Sequence, residues 1–309
     1  GFGAPPVWGA EETDSALSWQ VKVAEQRVAE ESRVLVNGLA PIERSRVYSN
    51  GGVGAQWLCC GPSEVGTELS DTDFRLLIAL RLGRATVAPG PCAHISRQGV
   101  PCSAHVDARG IHLLHCAYEG GRIERHDGVA SVVTSLSESI PSVQVAWKKE
   151  EPMWIRTTNP GVPDLFLEGL GNSRSLYVDV EISVAPLYPR AAARPGAVAK
   201  EQERLKRLKY PVFNAEGRRR VMHDFEPFAL EAHGRWGHAA VRLVRRLASM
   251  RALAIGVPVS QEVARWYAHI SVALMRCNAK LLRGRLGDRP RHRWQSHSGY
   301  RDLPMASGL

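Results

Sequence analysis

Five residues between Pro163 and Tyr210 have the types and spacing to work on a phosphodiester bond. Asp164 follows Pro163, and fifteen residues on comes Asp179-Val180-Glu181, inside the apolar run from Ser175 to Val184. A basic helical run from Glu201 to Tyr210 then supplies Lys206 and Lys209. Acids delivered by two short apolar strands can hold Mg²⁺ (or Mn²⁺), and a lysine beside them can lie near an attacked phosphate. A carboxylate between Val178 and Val180 is costly to bury unless something binds it. Glu181 projects to the same side of the strand as Asp179, because strand side chains alternate. Lys206 and Lys209 are one turn apart and share a helical face. Each residue also has a plainer reading: Asp164 as a turn acid, Asp179 in a structural ion pair, the lysines as a solvated surface.

A second constellation lies upstream. Cys92, Cys102 and Cys116 fall within 25 residues together with His94, His105, His112 and His115. Thiolates and imidazoles at this density suit tetrahedral zinc, and a loop this short cannot build a core alone. The ligand set expected is Cys92, Cys102, His112 and Cys116. The gap of nine residues between the first two cysteines is long for a zinc knuckle, so Cys92 is the least secured of the four. A disulfide framework is the rival, and His112 also reads as an ordinary core or surface histidine. Cys59-Cys60 and Cys277 read as plain thiols, since adjacent cysteines pair poorly.

Charge is distributed unevenly along the chain. From Lys200 to Leu309 there are 22 Lys+Arg against 9 Asp+Glu, a net +13, whereas the first 199 residues carry 18 against 22. A basic C-terminal third points to an anionic polymer, with phosphate contacts supplying most of the affinity. A soluble basic surface is the alternative. Hydrophobic content of 44% and charged content of 23% are ordinary globular values over a length of 309 residues. No apolar run approaches the roughly 20 residues of a membrane span, so no membrane partner is expected. Gly1–Ala10 has neither the basic start nor the apolar stretch of a secretory signal. The missing initiator Met suggests a fragment or a processed piece.

The elements that must position these residues follow from periodicity. Helices are expected over Ser15–Val34, Asp71–Leu82 (capped by Asp71 or Thr72), His126–Ile140, Val198–Tyr210 closed by Pro211, Ala239–Met250 and Val259–Leu286. Strands are expected at Val143–Trp147, Asp164–Leu167, Leu176–Ile182 and Phe225–Ala232, the last carrying Glu231. Asn50–Gly54 is a turn that lacks the Gly-Lys-Ser/Thr of a phosphate loop. The tail after Gly287 is rich in Arg, His and Pro and is expected to be loose. Strands embedded between helices give an α/β core with helical flanks.

An ordered motif series runs from about Gly54 to Asn278. It comprises Gly54-Ala-Gln-Trp-Leu58 with Pro62, Phe74-Arg75 with Leu80-Arg-Leu-Gly83, and Val106-Asp107-x-x-Gly110-x-His112-x-Leu114-x-Cys116. Gly121-Arg122, Arg125-His126, Pro163-Asp164, Asp179-Val180, Lys206-x-x-Lys209-Tyr210, Glu231 and Gly237 complete it. The series resembles the region downstream of the polymerase in site-specific non-LTR retrotransposon reverse transcriptases. There a zinc knuckle precedes a restriction-enzyme-like endonuclease of the PD-(D/E)XK class. No Asp-Asp pair for a polymerase palm is present. The chain therefore reads as the C-terminal part of such a protein or a stand-alone descendant.

The resemblance implies a restriction-endonuclease-like core, a central mixed sheet flanked by helices, that nicks target DNA to prime reverse transcription. It divides the chain into a helical lead-in (1–85), a CCHC-type knuckle (86–120), the nuclease core (121–240), basic helices (241–290) and a flexible tail (291–309). Asp164 and Asp179 would bind Mg²⁺, and Glu181, standing where the pattern has its lysine, would be a third ligand. Lys209 or Lys206 would then orient the attacking water. Tyr210 would position the helix or touch phosphate; His126, with Arg125 beside it, would contact DNA or support the acids; Glu231 would be catalytic or a core-edge hydrogen-bonding residue. DNA, and RNA of the element, are the expected partners, with a nuclear location. Two rivals stand beside this reading: a decayed or domesticated nucleic-acid-binding module, and a helical interaction protein whose acids are structural.

Overall fold

The computed structural model describes residues 10–61, 65–96, 98–147, 162–171, 175–210 and 223–284. The expected tail, Pro62 and Pro211 lie outside them. In chain order the elements are helices α1 (Ala10–Gly38), α2 (Pro41–Ser49) and α3 (Asp71–Leu82), and the short strands β1 (Gly90–Pro91) and β2 (His105–Val106). Next come α4 (Ile111–His115), α5 (Gly121–Glu138), β3 (Gln144–Trp147), β4 (Leu165–Glu168) and β5 (Ser175–Ser183). The chain continues through α6 (Ala197–Lys209), β6 (His223–Glu231), α7 (His238–Ile255) and α8 (Val259–Arg283). The fold is mixed α/β: a four-stranded mixed sheet, a separate two-stranded ladder, and helices around them.

The large sheet has the order β3-β4-β5-β6, with the first two pairings antiparallel and the last parallel. A parallel neighbour cannot be reached by a tight turn, so the chain must cross over, and α6 is the helix in that crossover. It packs against both β5 and β6. On β5, Leu176, Val178 and Val180 face the main core, while Tyr177 joins Phe166, Tyr210 and Phe225 in a separate cluster. Asp179 and Glu181 alternate with the core residues and so lie on the Tyr177 side. β6 contains Pro227 opposite Asp179, which is tolerated because β6 is an edge strand.

The core is organised around α8, which contacts α3, α4, α5, α7 and a 3-10 turn at Val53–Leu58. Trp266, Ile270 and Leu274 are fully buried, and Trp57 from the 3-10 turn packs with them. That turn holds the Gly-Ala-Gln-Trp-Leu motif, and Gly54 is there for space. A Cβ on it would lie 1.5 Å from the Gly234 carbonyl oxygen and 2.6 Å from Trp236 Nε1. At the start of α8, buried Glu262 accepts from Trp266 Nε1 at 2.6 Å and ion-pairs Arg251 of α7 at 2.8 Å and Arg265 at 3.1 Å.

Some local expectations change. α3 is capped by Ser70, whose Oγ accepts from the Asp73 N–H at 3.1 Å, rather than by Asp71 or Thr72. α5 begins at Gly121, earlier than the apolar period suggests, because Gly120 takes a left-handed conformation (φ 72°) that turns the chain into the helix. α2 and α4 carry no strong period of their own and are stabilised by packing.

Two measurements check this account. Burial alone would raise the Glu262 pKa, but its bonds to Arg265 and Trp266 and the charge of Arg251 hold it below its ordinary 4.5. Its stabilisation is therefore present above about pH 4.5 and is lost as pH falls through the lowered value. Thermal melts from neutral pH into this acid range are expected to show a shallower loss for Glu262→Gln than for the wild type. Gly54→Ala is expected to cost about 1–3 kcal/mol in denaturant unfolding, because backbone and an indole must move aside.

Candidate functional site

The register of the sheet brings two acids together. Leu165 pairs with Val178, so one step further Asp164 stands opposite Asp179 at the end of the ladder. Both are buried, at 5% and 4% exposure. Asp164 Oδ2 accepts from the Val180 N–H at 2.8 Å and lies 2.9 Å from His126 Nε2, while His126 Nδ1 lies 2.9 Å from Asp127 Oδ1. Lys206 reaches down from α6: its Nζ is 2.5 Å from Asp179 Oδ2 and 3.2 Å from Glu181 Oε2.

The electrostatics divide the two acids. Burial would raise the Asp164 pKa, but the His126 hydrogen bond and charge, with the Val180 N–H, hold it below the usual range. Burial does raise Asp179, against the pull of Lys206 and with the push of nearby Asp164. Burial would lower His126, yet its bonds to Asp164 and Asp127 raise it to about 9, so it is an imidazolium at neutral pH. Lys206 likewise overcomes its burial through Asp179 and Glu181 and stays charged. A pair of carboxyls pushed apart in pKa is a common mark of a functional site and also of a structural ion-pair network.

The other expected residues separate. Lys209 lies over the Tyr210 ring, 4.7 Å from its centroid, and Lys206 is the lysine in contact with the acids. Tyr210 is buried against Phe225, and burial, then Asp179 and Asp164, push its hydroxyl pKa up. Arg125 departs from its expected place. It is fully buried and donates to Asn278 Oδ1 at 3.1 Å, because one residue along α5 turns the side chain about 100° away from His126 and into α8. Glu231 also leaves the acid cluster: its Oε1 accepts from the Ala199 N–H at 3.1 Å and caps α6. Glu203, which no sequence signal singles out, does the same for α7 by accepting from the Ala239 N–H at 2.7 Å. Asp127, which orients His126, had only its adjacency as a signal.

The cysteine segment closes as expected. The β1–β2 ladder holds Cys92 beside Cys102, with Cys92 N–H donating to Ala104 and Cys102 N–H to His94. His112 and Cys116 are four apart, on one face of α4 and its C-terminal cap. Asp107 accepts from the Arg109 N–H at 2.9 Å and shapes the turn into that helix. The four ligand atoms lie within 4.8 Å of one another, with Cys92–Cys116 at 4.0 Å, Cys102–Cys116 at 3.9 Å and Cys102–His112 at 3.5 Å. Tetrahedral zinc bonds of about 2.3 Å to sulfur and 2.0 Å to nitrogen give edges of roughly 3.8 and 3.5 Å. The sulfurs are too far apart for a disulfide, and all six cysteines are free. Burial, with the neighbouring Cys92 and Cys102, pushes the Cys116 thiol up, so the thiolate form needs a cation. This group can hold a metal such as zinc.

Among the described residues, only that group brings three or more ligand atoms so close together. Asp164, Asp179 and Glu181 do not form such a cluster, and the Lys206 ammonium stands at both Asp179 and Glu181. Among the described residues, basic side chains of α7 and α8 are also engaged within the protein. Arg242 pairs with Glu226, Arg245 bonds the Tyr267 hydroxyl, Arg246 the Leu170 carbonyl, and Arg283 pairs with Asp73.

Compared with models of known protein families and with curated proteins, the chain matches none. The functional reading rests on the geometry above. Elemental analysis of the purified protein is expected to find one zinc per chain, lost in Cys102→Ser. Chelation is expected to speed amide exchange across residues 92–116, and a metal-free protein with unchanged exchange would remove the zinc assignment.

Proposed function

We propose that this chain is a Mg²⁺-dependent DNA endonuclease with a restriction-endonuclease-like core, related to the C-terminal region of site-specific non-LTR retrotransposon proteins. The observation that carries it is the apposition of buried Asp164 and Asp179 beneath Lys206. A central mixed sheet flanked by helices is the architecture this reading requires. Three carboxylates stand against Lys206 and His126 on this part of the sheet, and oxygen donors of this kind are what a divalent cation would take.

Asp164 and Asp179 would hold the ion, with Glu181 at its margin. When bound, Mg²⁺ lowers the pKa of an attacking water and polarises the scissile phosphate. The chain's own residues do the positioning. The Val180 N–H and His126 fix one Asp164 oxygen, and Asp127 fixes the His126 ring. Lys206, held by Asp179 and Glu181, presents a preorganised ammonium that offsets charge growing on the phosphate. The zinc knuckle supports engagement of DNA, and RNA of the element is a further ligand. Such work on chromosomal DNA belongs in the nucleus.

A second reading is favoured by one observation. Asp179 already has a cation partner in Lys206, and a structural ion pair of this kind survives in a binding module that no longer cuts.

A plasmid-nicking assay with Mg²⁺ separates the two. Nicking is expected to fall about a hundredfold or more in Asp164→Ala and Asp179→Ala, with DNA affinity equal or higher. Lys206→Met is expected to lower nicking while leaving binding in place. Nicking that persists in Asp179→Ala sinks the proposed centre. A wild type that binds DNA in a salt-sensitive way without cutting is the binding module.

A further inference from the structure

We infer that the outer face of α6 and the 3-10 turn before it form a second contact for DNA, a backbone-gripping groove distinct from the acid cluster. The choice of DNA rests on the nuclease reading above; the groove itself does not. A groove of about 730 Å³ runs between α6 and the 3-10 turn at Pro189–Ala192, and Arg190, Arg194, Lys200, Arg204 and Arg207 line it. On α6, Lys200, Arg204 and Arg207 recur at i, i+4 and i+7 and so share one face. Lys206 points the other way, into the acids beneath the helix. One helix therefore presents a lysine to the proposed cleavage centre and a basic stripe to its opposite side.

The five cations differ in what already holds them. Arg204 is held by Glu201 at 2.7 Å, and Arg207 is shared between Glu203 and Glu226. The side chains of Arg190, Arg194 and Lys200 are exposed and make no hydrogen bond or ion pair among the described residues. This sets them apart in a protein whose other basic residues on α7 and α8 are mostly tied to carboxylates and carbonyls. Lys200 and Arg194 are therefore open to a partner, and Arg190, which acts on Glu201 only through its charge, can reach one as well.

The chemistry of the lining identifies that partner. Five guanidinium and ammonium groups outnumber the two carboxylates of the lining, Glu201 and Glu203, and the excess of positive charge suits phosphate oxygens. Among the described residues, the lining has no aromatic ring on which an unpaired base could stack. Nor do the described residues of the lining include an amide side chain to read a base edge. Contacts of this kind position a duplex without specifying its sequence. The groove would thus hold the backbone of duplex DNA flanking the cut.

The test is the salt dependence of binding to a labelled DNA duplex of arbitrary sequence, measured for the wild type and for Arg190→Ala/Arg194→Ala/Lys200→Ala. The slope of log Kobs against log[KCl] is expected to become shallower by about three, near one per lost phosphate contact. All three replaced side chains are exposed, so the melting temperature serves as the folding control. An unchanged slope in a folded triple variant overturns the groove. So does a wild type that binds anionic vesicles or RNA but not the duplex. A slope that falls as expected in a protein that never nicks supports the groove and defeats the nuclease reading. Nicking with an unaltered slope does the reverse.

Discussion

A carboxylate taken out of water must be given a partner, at a desolvation cost on the order of several kcal/mol per ion. Among the described residues this chain buries six: Asp73, Asp164, Asp179, Glu203, Glu231 and Glu262. Each one ties two elements together. Asp73 joins α3 to Arg283 of α8, and Glu262 joins α8 to Arg251 of α7. Glu231 of β6 caps α6, and Glu203 of α6 caps α7, so the starts of both helices are fixed by acids from a packed neighbour. Asp164 joins β4 to the β5 backbone and to α5, and Asp179 joins β5 to α6. Four of these acids are spent on the frame alone. Only Asp164 and Asp179 stand side by side, which is why the proposed chemistry falls there.

The crossover between β5 and β6 decides how that pair is furnished. A parallel pairing obliges the chain to pass over the sheet, and α6 makes that passage directly above the strand that carries Asp179 and Glu181. Lys206 is brought to the acids by this topology rather than by nearness in sequence. The same helix, being a cylinder, has an outer face free to carry Lys200 and Arg204 away from the sheet. Both the acid cluster and the basic groove are thus consequences of one connection.

The cysteine module shows a different dependence. Val106, Ile111, Leu113 and Leu114 are buried with Leu281 and Leu282 of α8, and with Val184 and Ala232 from the ends of β5 and β6. Gly110 is left-handed, and a Cβ there would approach Leu282 within 2.5 Å. The module is therefore seated on the end of α8, and its four ligands are held by that seat as well as by their own turns. A bound cation would stabilise the thiolates and, through the shared cluster, the end of α8.

The sequence by itself determined the longer helices, the strands of the large sheet and the four residues of the cysteine group. Alternation between apolar and acidic residues located β5 to within a residue at each end, and the helical period gave α3 and α6 closely but ended α7 five residues early. Cys92, Cys102, His112 and Cys116 were legible because zinc ligands must lie close in a short segment, where composition and spacing already restrict the choice. What only the tertiary structure decided is which charged residues meet. Lys206 and Lys209 are equivalent in sequence, and the angle at which α6 crosses the sheet puts Lys206 against Asp179 and Lys209 over Tyr210. Arg125 and His126 are neighbours in sequence, yet helical rotation sends one into the core and the other to Asp164. Glu231 and Glu203 look like any strand-end or helix acids until the helices they cap are packed beside them. The physical reason is the same throughout: spacing along a chain fixes which face a residue occupies, and packing between elements fixes what that face touches.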